Sequence, residues 1–352
     1  MKKKERSLMA IGISLAVLLT CFVGCISQPS EEEKPMLVVG AYGGEFEEKL
    51  REAFINDFEK EHNCQVLFET GVSSETTAKL IAQKADPQMD VVILDIGDKI
   101  AAEKEGLLAK LSEEDVPNMK NLYDIAKDPN GYGPVMTFDA LILAYNTNYI
   151  KEAPTSWNEM WKPEYKKKIN LFSMQIVIGY DVLIMAAMLK GGDIYNLEPG
   201  WKYLEELKPN VNGIVTSAAM TLPAVATGEI WLLPFWNART QLNIDKGAPI
   251  GVAFPKEGSF VQMNTISVVK NCKHPDLAKK FVNTALSEKA QKRFAELMYY
   301  GPTNKNVKLS TEVAERTVYG PEAVAKLIVV DIGYVNKHRA EWIERFNQIF
   351  GG

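Results

Sequence analysis

The chain has 352 residues, 46% of them hydrophobic, and a net charge of −5 at pH 7. Without the first 24 residues, which carry Lys2, Lys3, Lys4, Arg6 and Glu5, the charge becomes −8. An acidic body disfavours nucleic acid as a partner, because that binding draws on basic surface. A body of this length has room for one large domain or, at the usual size of folding units, two.

The chain opens MKKKERSLMAIGISLAVLLTCFVGC, a basic start followed by an apolar run over residues 8–24. The run is short for a membrane span of roughly 20 residues, and it suits the apolar region of an export signal. A retained anchor helix and the first helix of the fold are the alternatives. Gly24 before Cys25 resembles the bacterial lipobox, whose cysteine takes up a diacylglyceryl group and becomes the first residue of the mature protein. That motif usually has Leu three places before the cysteine, where this chain has Phe22, and Thr20 before Cys21 fits less well. Cys25 is therefore the expected lipidation site and residues 1–24 the signal. Residues 25–35, with ISQPSEEEK, hold charge and proline and little to bury, so they read as a tether. Two or more acyl chains anchor firmly, which would fix the body to the extracytoplasmic face of the cell membrane.

Residues 36–40 read as a strand and Gly43–Gly44 as a turn. Leu50, Phe54 and Phe58 then recur at helical spacing, and residues 65–69 read as the next strand. A helix, a turn at Asp86-Pro87, a strand over 90–94 and a helix over 98–105 follow. This alternation predicts a parallel sheet covered on both faces. FDALILAYNTNYI predicts a long strand, and APTSWNEMWKPEYKKKINL a short helix in turn-rich surroundings. VIGYDVLIMAAMLKGG is apolar but interrupted by Asp181, so it reads as a core helix rather than a span. GWKYLEELKPN is a short amphipathic helix, and EIWLLPFWNARTQLNIDKG a strand followed by a helix. The last third carries a strand over 265–269, helix starts at Pro275-Asp276 and Ser287, and a final helix in YVNKHRAEWIERFNQIF. Cys64 and Cys272 have no metal-type or disulfide spacing and read as buried thiols.

No catalytic template is present: HExxH, GxSxG, GxxxxGK[ST] and a GxGxxG after the first strand are all missing. His62, His274 and His338 stand alone near helix ends or on charged faces and read as solvated. Neither an enzyme nor a cofactor or metal site is expected. Binding residues are easier to find. Tyr42 adjoins Gly43 and Gly44 at the carboxyl end of the first strand, the edge where open parallel sheets bind ligands. The helix after Gly44 would aim free amides at a ligand anion; in the alternative the glycines only make the turn. Trp236 and Asn237 follow Pro234 at a strand end and read as a pocket wall, with a core tryptophan as the alternative.

TTAKLIAQKADPQMDVVILD, KEGLLAKL, SWNEMWKPEYK, PKEG, ISVVKNCKHPDLAKKFVN and YGPTNKNV occur here in this order and spacing. With them the chain resembles the solute-binding proteins of bacterial ABC importers, in particular the spermidine/putrescine-binding group and its relatives for iron and thiamine. The resemblance runs from about Met36 to Phe350. It implies an α/β, periplasmic-binding-protein-like fold of two lobes joined by crossing strands, with ligand in the cleft. Lobe 1 would take residues 36–139 and 264–305, and lobe 2 residues 140–263 and 306–352. It also implies a small-molecule solute, a permease and its ATPase as partners, and no chemistry. A surface receptor or adhesin reusing the fold, and a secreted hydrolase, are the competing readings.

Tyr42, Trp236 and Tyr300 match aromatic positions of the polyamine binders. Gln262 and Asn264 stand where that group has tryptophan and aspartate, and its acidic residues after PEYK have no equivalent beyond Gln175 and Tyr180. Gly43, Gly44, Asp95, Thr137 and Asn237 complete the expected lining. An ammonium entering a dry cleft must meet a carboxylate or suffer uncompensated desolvation. With amides where the acids were, a neutral or singly charged polar solute is expected over spermidine, unless Asp95, Asp181 or Glu45 supplies the charge. A polyamine, a thiamine-like compound and a small organic anion remain the candidate classes.

Overall fold

The computed structural model describes residues 34–217 and 221–351. Cys21 and Cys25 lie outside them, as does the expected signal.

β1 (Met36–Ala41) is followed, after the glycine turn, by α1 (Glu45–Leu50), a π-helical turn (Arg51–Ile55) and α2 (Asn56–Glu61), which run on as one helix. Its apolar residues Phe46, Leu50, Phe54 and Phe58 are spaced four apart and all are buried. A strict four-residue step drifts round an α-helix by about 40° each time. The wider i→i+5 turn in the middle winds back, and the stripe stays against the sheet. β2 (Gln65–Thr70), α3 (Ser73–Ala82), β3 (Val91–Asp95) and α4 (Ile96–Lys104) complete the first alternating segment. β2, β1 and β3 pair in parallel, as the sequence predicts.

β4 (Val135–Asn146) is a single strand, buried along nearly its whole length. After β5 (Ile169–Phe172), α5 (Val177–Met188) is buried on almost every side, as an apolar helix without a polar face must be. α6 (Glu198–Leu207), β6 (Val211–Val215), α7 (Thr221–Thr227), β7 (Leu232–Trp236), α8 (Asn237–Asp245) and β8 (Ile250–Ala253) follow. β9 spans Ser259–Val268, six residues earlier than the strand read at 265–269, and α9 (Pro275–Ala285), α10 (Glu288–Met298) and a terminal helix (Ile332–Phe350) end the chain. Among the described residues no helix is long and apolar enough to cross a membrane.

The strands run β2-β1-β3-β9-β4-β7-β5-β6, with β8 also on β4. β9 is antiparallel to β3, and β4 is antiparallel to β9, so the two strands join two parallel ends. β4 changes partner along its length. Its first part, up to Ala140, lies on β9, and from Leu141 onward it lies on β7 and β8. Cys64 and Cys272 are both buried and are not disulfide-bonded to each other.

Candidate functional site

The register of the central strands gathers the site. Asp95 at the end of β3 pairs with Asn264 of β9, and Asn264 with Thr137 of β4. Two residues along, Gln262 pairs with Asp139, and two further along β4, Leu141 pairs with Trp236 of β7. Directly paired residues share a face, and so do residues two apart on a strand. Asp95, Asn264, Gln262, Thr137, Asp139 and Trp236 therefore belong to one face of the sheet, around the place where β4 changes partner.

Over that face lies a cleft of about 820 Å³. Tyr42, Gly43, Asp95, Trp236, Gln262, Asn264 and Tyr300 line it, as do Glu45, Asp139 and Arg239. One wall is aromatic. The Tyr42 ring meets Phe46 edge-on at 5.3 Å, Phe46 meets Tyr300 edge-on at 6.0 Å, and Tyr300 stacks on Phe294 at 5.6 Å.

Asp95 is the polar centre. Its Oδ1 accepts from the Tyr42 hydroxyl at 2.7 Å and from Gln262 Nε2 at 2.6 Å. Burial pushes its carboxyl above the ordinary range, although both hydrogen bonds pull the other way. Burial and the adjacent Asp95 together raise the Tyr42 hydroxyl far above its usual value, so it stays a donor. Asp139 has Oδ1 accepting from the Ala140 amide at 2.9 Å and from the Ala238 amide at 3.0 Å. The second bond ties β4 to the first turn of α8. Burial pushes the Asp139 carboxyl up to about 7, against those amides and the charge of Arg239.

The other expected residues lie differently. Asn264 is buried and donates to Thr137 Oγ1 at 3.1 Å, so Thr137 sits beneath the lining. Gly44 turns the chain into α1 with φ 63°, a conformation that favours glycine. Gln175 is exposed, and its carbonyl accepts from Arg339, whereas its neighbours Ile176 and Val177 line the cleft. Tyr180 is buried in α5 beneath the Arg339 guanidinium, 5.7 Å from the ring centre. The Asn237 side chain is turned into the protein, donating to the Arg316 carbonyl at 2.9 Å. Of the three acids weighed for the missing charge, Asp95 and Glu45 line the cleft and Asp181 is buried inside α5.

Asp139 was not anticipated. Its signal was a lone acid in the apolar run FDALILAYN, which needs the pairing partner of β4 before its side can be read. Among the described residues no group of three or more His, Cys, Asp and Glu side chains is arranged to hold a metal.

Residues 53–319 match the family model described as bacterial extracellular solute-binding protein. The chain is 27% identical over 337 residues to the spermidine/putrescine-binding periplasmic protein of Escherichia coli K12, covering 92% of this chain and 91% of that one. It superposes on an ABC transporter structure from Clostridium perfringens with TM-score 0.77 and 29% identity, over 90% of this chain and 100% of that one. A spermidine/putrescine ABC transporter substrate-binding protein from Streptococcus pneumoniae gives TM-score 0.77 at 22% identity, over 90% of this chain and 99% of that one. The architecture is thus the periplasmic-binding-protein fold, in which two α/β lobes are joined by crossing strands, here β4 and β9.

Proposed function

The chain belongs to the bacterial extracellular solute-binding proteins, and from that premise we propose that it captures a small amine-bearing solute for an ABC importer while anchored to the membrane through Cys25. The observation that carries this reading is the cleft, where distant segments of chain converge on one sheet face. Aromatic rings, amides and the Asp95 carboxylate together suit a polar cation. Closure would be a population shift driven by contacts to both sides of the cleft. The closed form would then dock on a permease and its ATPase. The lobes that close are residues 36–139 with 264–305 and residues 140–263 with 306–352.

The spermidine/putrescine-binding relative supports an amine as the recognised group, without fixing how many amines the solute carries. Anchoring rests on the sequence before residue 35: a basic start, an apolar run, Gly24-Cys25 and a charged tether. Two measurements test the proposal. Calorimetry on the soluble body should detect saturable binding of an amine solute, and heat at no amine would remove that solute class. Cys25→Ala should leave the protein unlipidated; lipid labelling unchanged in this variant would end the anchor assignment.

A further inference from the structure

Among the described residues, one cation in the cleft is left over. Lys246, at the end of α8, reaches across to Glu45 at the start of α1, 3.5 Å away. Arg239 stands two turns earlier on the same helix and also lines the cleft. Its guanidinium makes no hydrogen bond or ion pair with any described residue. Asp139 is near enough for the two charges to feel each other, but the two side chains form no ion pair, and burial, which pushes the Asp139 carboxyl up to about 7, leaves it only partly charged at neutral pH. The Tyr300 hydroxyl, also within the field of Arg239, is neutral and cannot compensate a charge.

In the open cleft, water solvates this guanidinium. On closure it would be dried, and a cation dried without a counter-ion costs several kcal/mol. A cleft with only carboxylates to offer would suit a diamine. This one offers carboxylates on the β3 and β4 strands and an unpaired guanidinium on α8. Resting on the solute-capture reading above, we propose that the solute is a zwitterion of amino-acid type, its ammonium held at Asp95 and its anionic group held by Arg239. Asp95 is equipped for its part. Oδ1 takes Tyr42 and Gln262, and among the described residues Oδ2 has no partner. Arg239 is equipped for its part by the planar fork that matches a carboxylate or phosphonate with two parallel bonds.

Two probes of nearly equal length separate a zwitterion from a diamine: 4-aminobutanoate and putrescine, which differ in one terminus. Calorimetry with the wild-type body should give at least about tenfold tighter binding of 4-aminobutanoate or of 2-aminoethylphosphonate than of putrescine. Arg239→Gln should weaken the zwitterions roughly ten- to a hundredfold, the loss of a charge-assisted pair, and strengthen putrescine. Thermal melting of the variant checks that it folds. Tighter wild-type binding of putrescine, or equal weakening of both probes in Arg239→Gln, would overturn the zwitterion and leave solute capture standing. If no probe binds, mass spectrometry of the solute released from natively purified protein decides. A solute with both an amine and an acid upholds the assignment, and one without an acid overturns it. Absence of any solute tells against solute capture as well.

Discussion

Asp139 carries the clearest consequence at the scale of a single residue. Its carboxyl has an ordinary pKa of 3.8 and is pushed up to about 7 by burial. Between those values the folded chain keeps a proton that the unfolded chain has released. The stability this contributes is full below 3.8, falls by about 1.4 kcal/mol per pH unit through the window, and is lost above about 7. Asp139→Asn keeps an oxygen for the Ala140 and Ala238 amides and removes the titration. Urea unfolding between about pH 4.5 and about pH 7.5 should therefore show a steeper loss of stability in the wild type than in the variant. Parallel profiles would mean that Asp139 does not titrate in this range. The same residue explains what the sequence withheld. Counted along β9, Gln262 and Asn264 are both amides, and no charge shows on the strand. Counted across the sheet, Asp95 and Asp139 stand on either side of them. Side chains from three strands share that face, and no spacing within one strand reveals it.

Among the elements, those with one role were legible and those with two were not. β2 and the helix between β1 and β2 follow apolar periodicity, because each has one buried face, and β1 and β3 read as continuous apolar runs, because both their faces are covered. β9 was read only from residue 265, although it begins at Ser259. Gln262 and Asn264 interrupt its apolar pattern because they face the cleft. The site itself hid the strand that builds it. The packing of α5 against α6 was likewise invisible in the sequence. A Cβ on Gly200 of α6 would come within 2.7 Å of the Ala187 amide nitrogen and 2.8 Å of the Leu183 carbonyl oxygen in α5. In an open helix, Gly→Ala gains roughly 1 kcal/mol. Here the obstacle is main chain, which cannot rotate away, and the steric cost wins. Gly200→Ala should lower stability by about 1–3 kcal/mol, read as a fall in the urea midpoint with an unchanged slope. A raised midpoint would mean that the two helices separate at little cost.

For the whole molecule, the resemblance carried by the short motifs made a two-lobed architecture readable, whereas the division of β4 between β9 and β7 did not show in its almost uniformly apolar sequence. That division sets how a ligand can act. Tyr42 and Asp95 reach the cleft from the β1 and β3 end of the sheet, and Trp236 and Arg239 from β7 and α8. β4 and β9 run between these groups and are the natural axis for a hinge. A ligand that touches only one group has equal affinity for open and closed forms and shifts nothing, however tightly it binds. One that touches both favours closure by the contacts made only when the cleft shuts. A compact body of this length has a radius of gyration of roughly 20 Å. Small-angle scattering at saturating 4-aminobutanoate or putrescine, whichever binds, should show that radius shrink by a few per cent. Trp236→Ala keeps Tyr42 and Asp95 but removes a wall on the other side. It should bind at least about tenfold more weakly, and at saturation its contraction should be reduced or lost. If the wild-type profile does not change at saturation, the cleft is a preformed pocket and β4 and β9 are a rigid support. If Trp236→Ala contracts as fully as the wild type, the driving contacts lie elsewhere on the α8 side, with Arg239 the first to substitute.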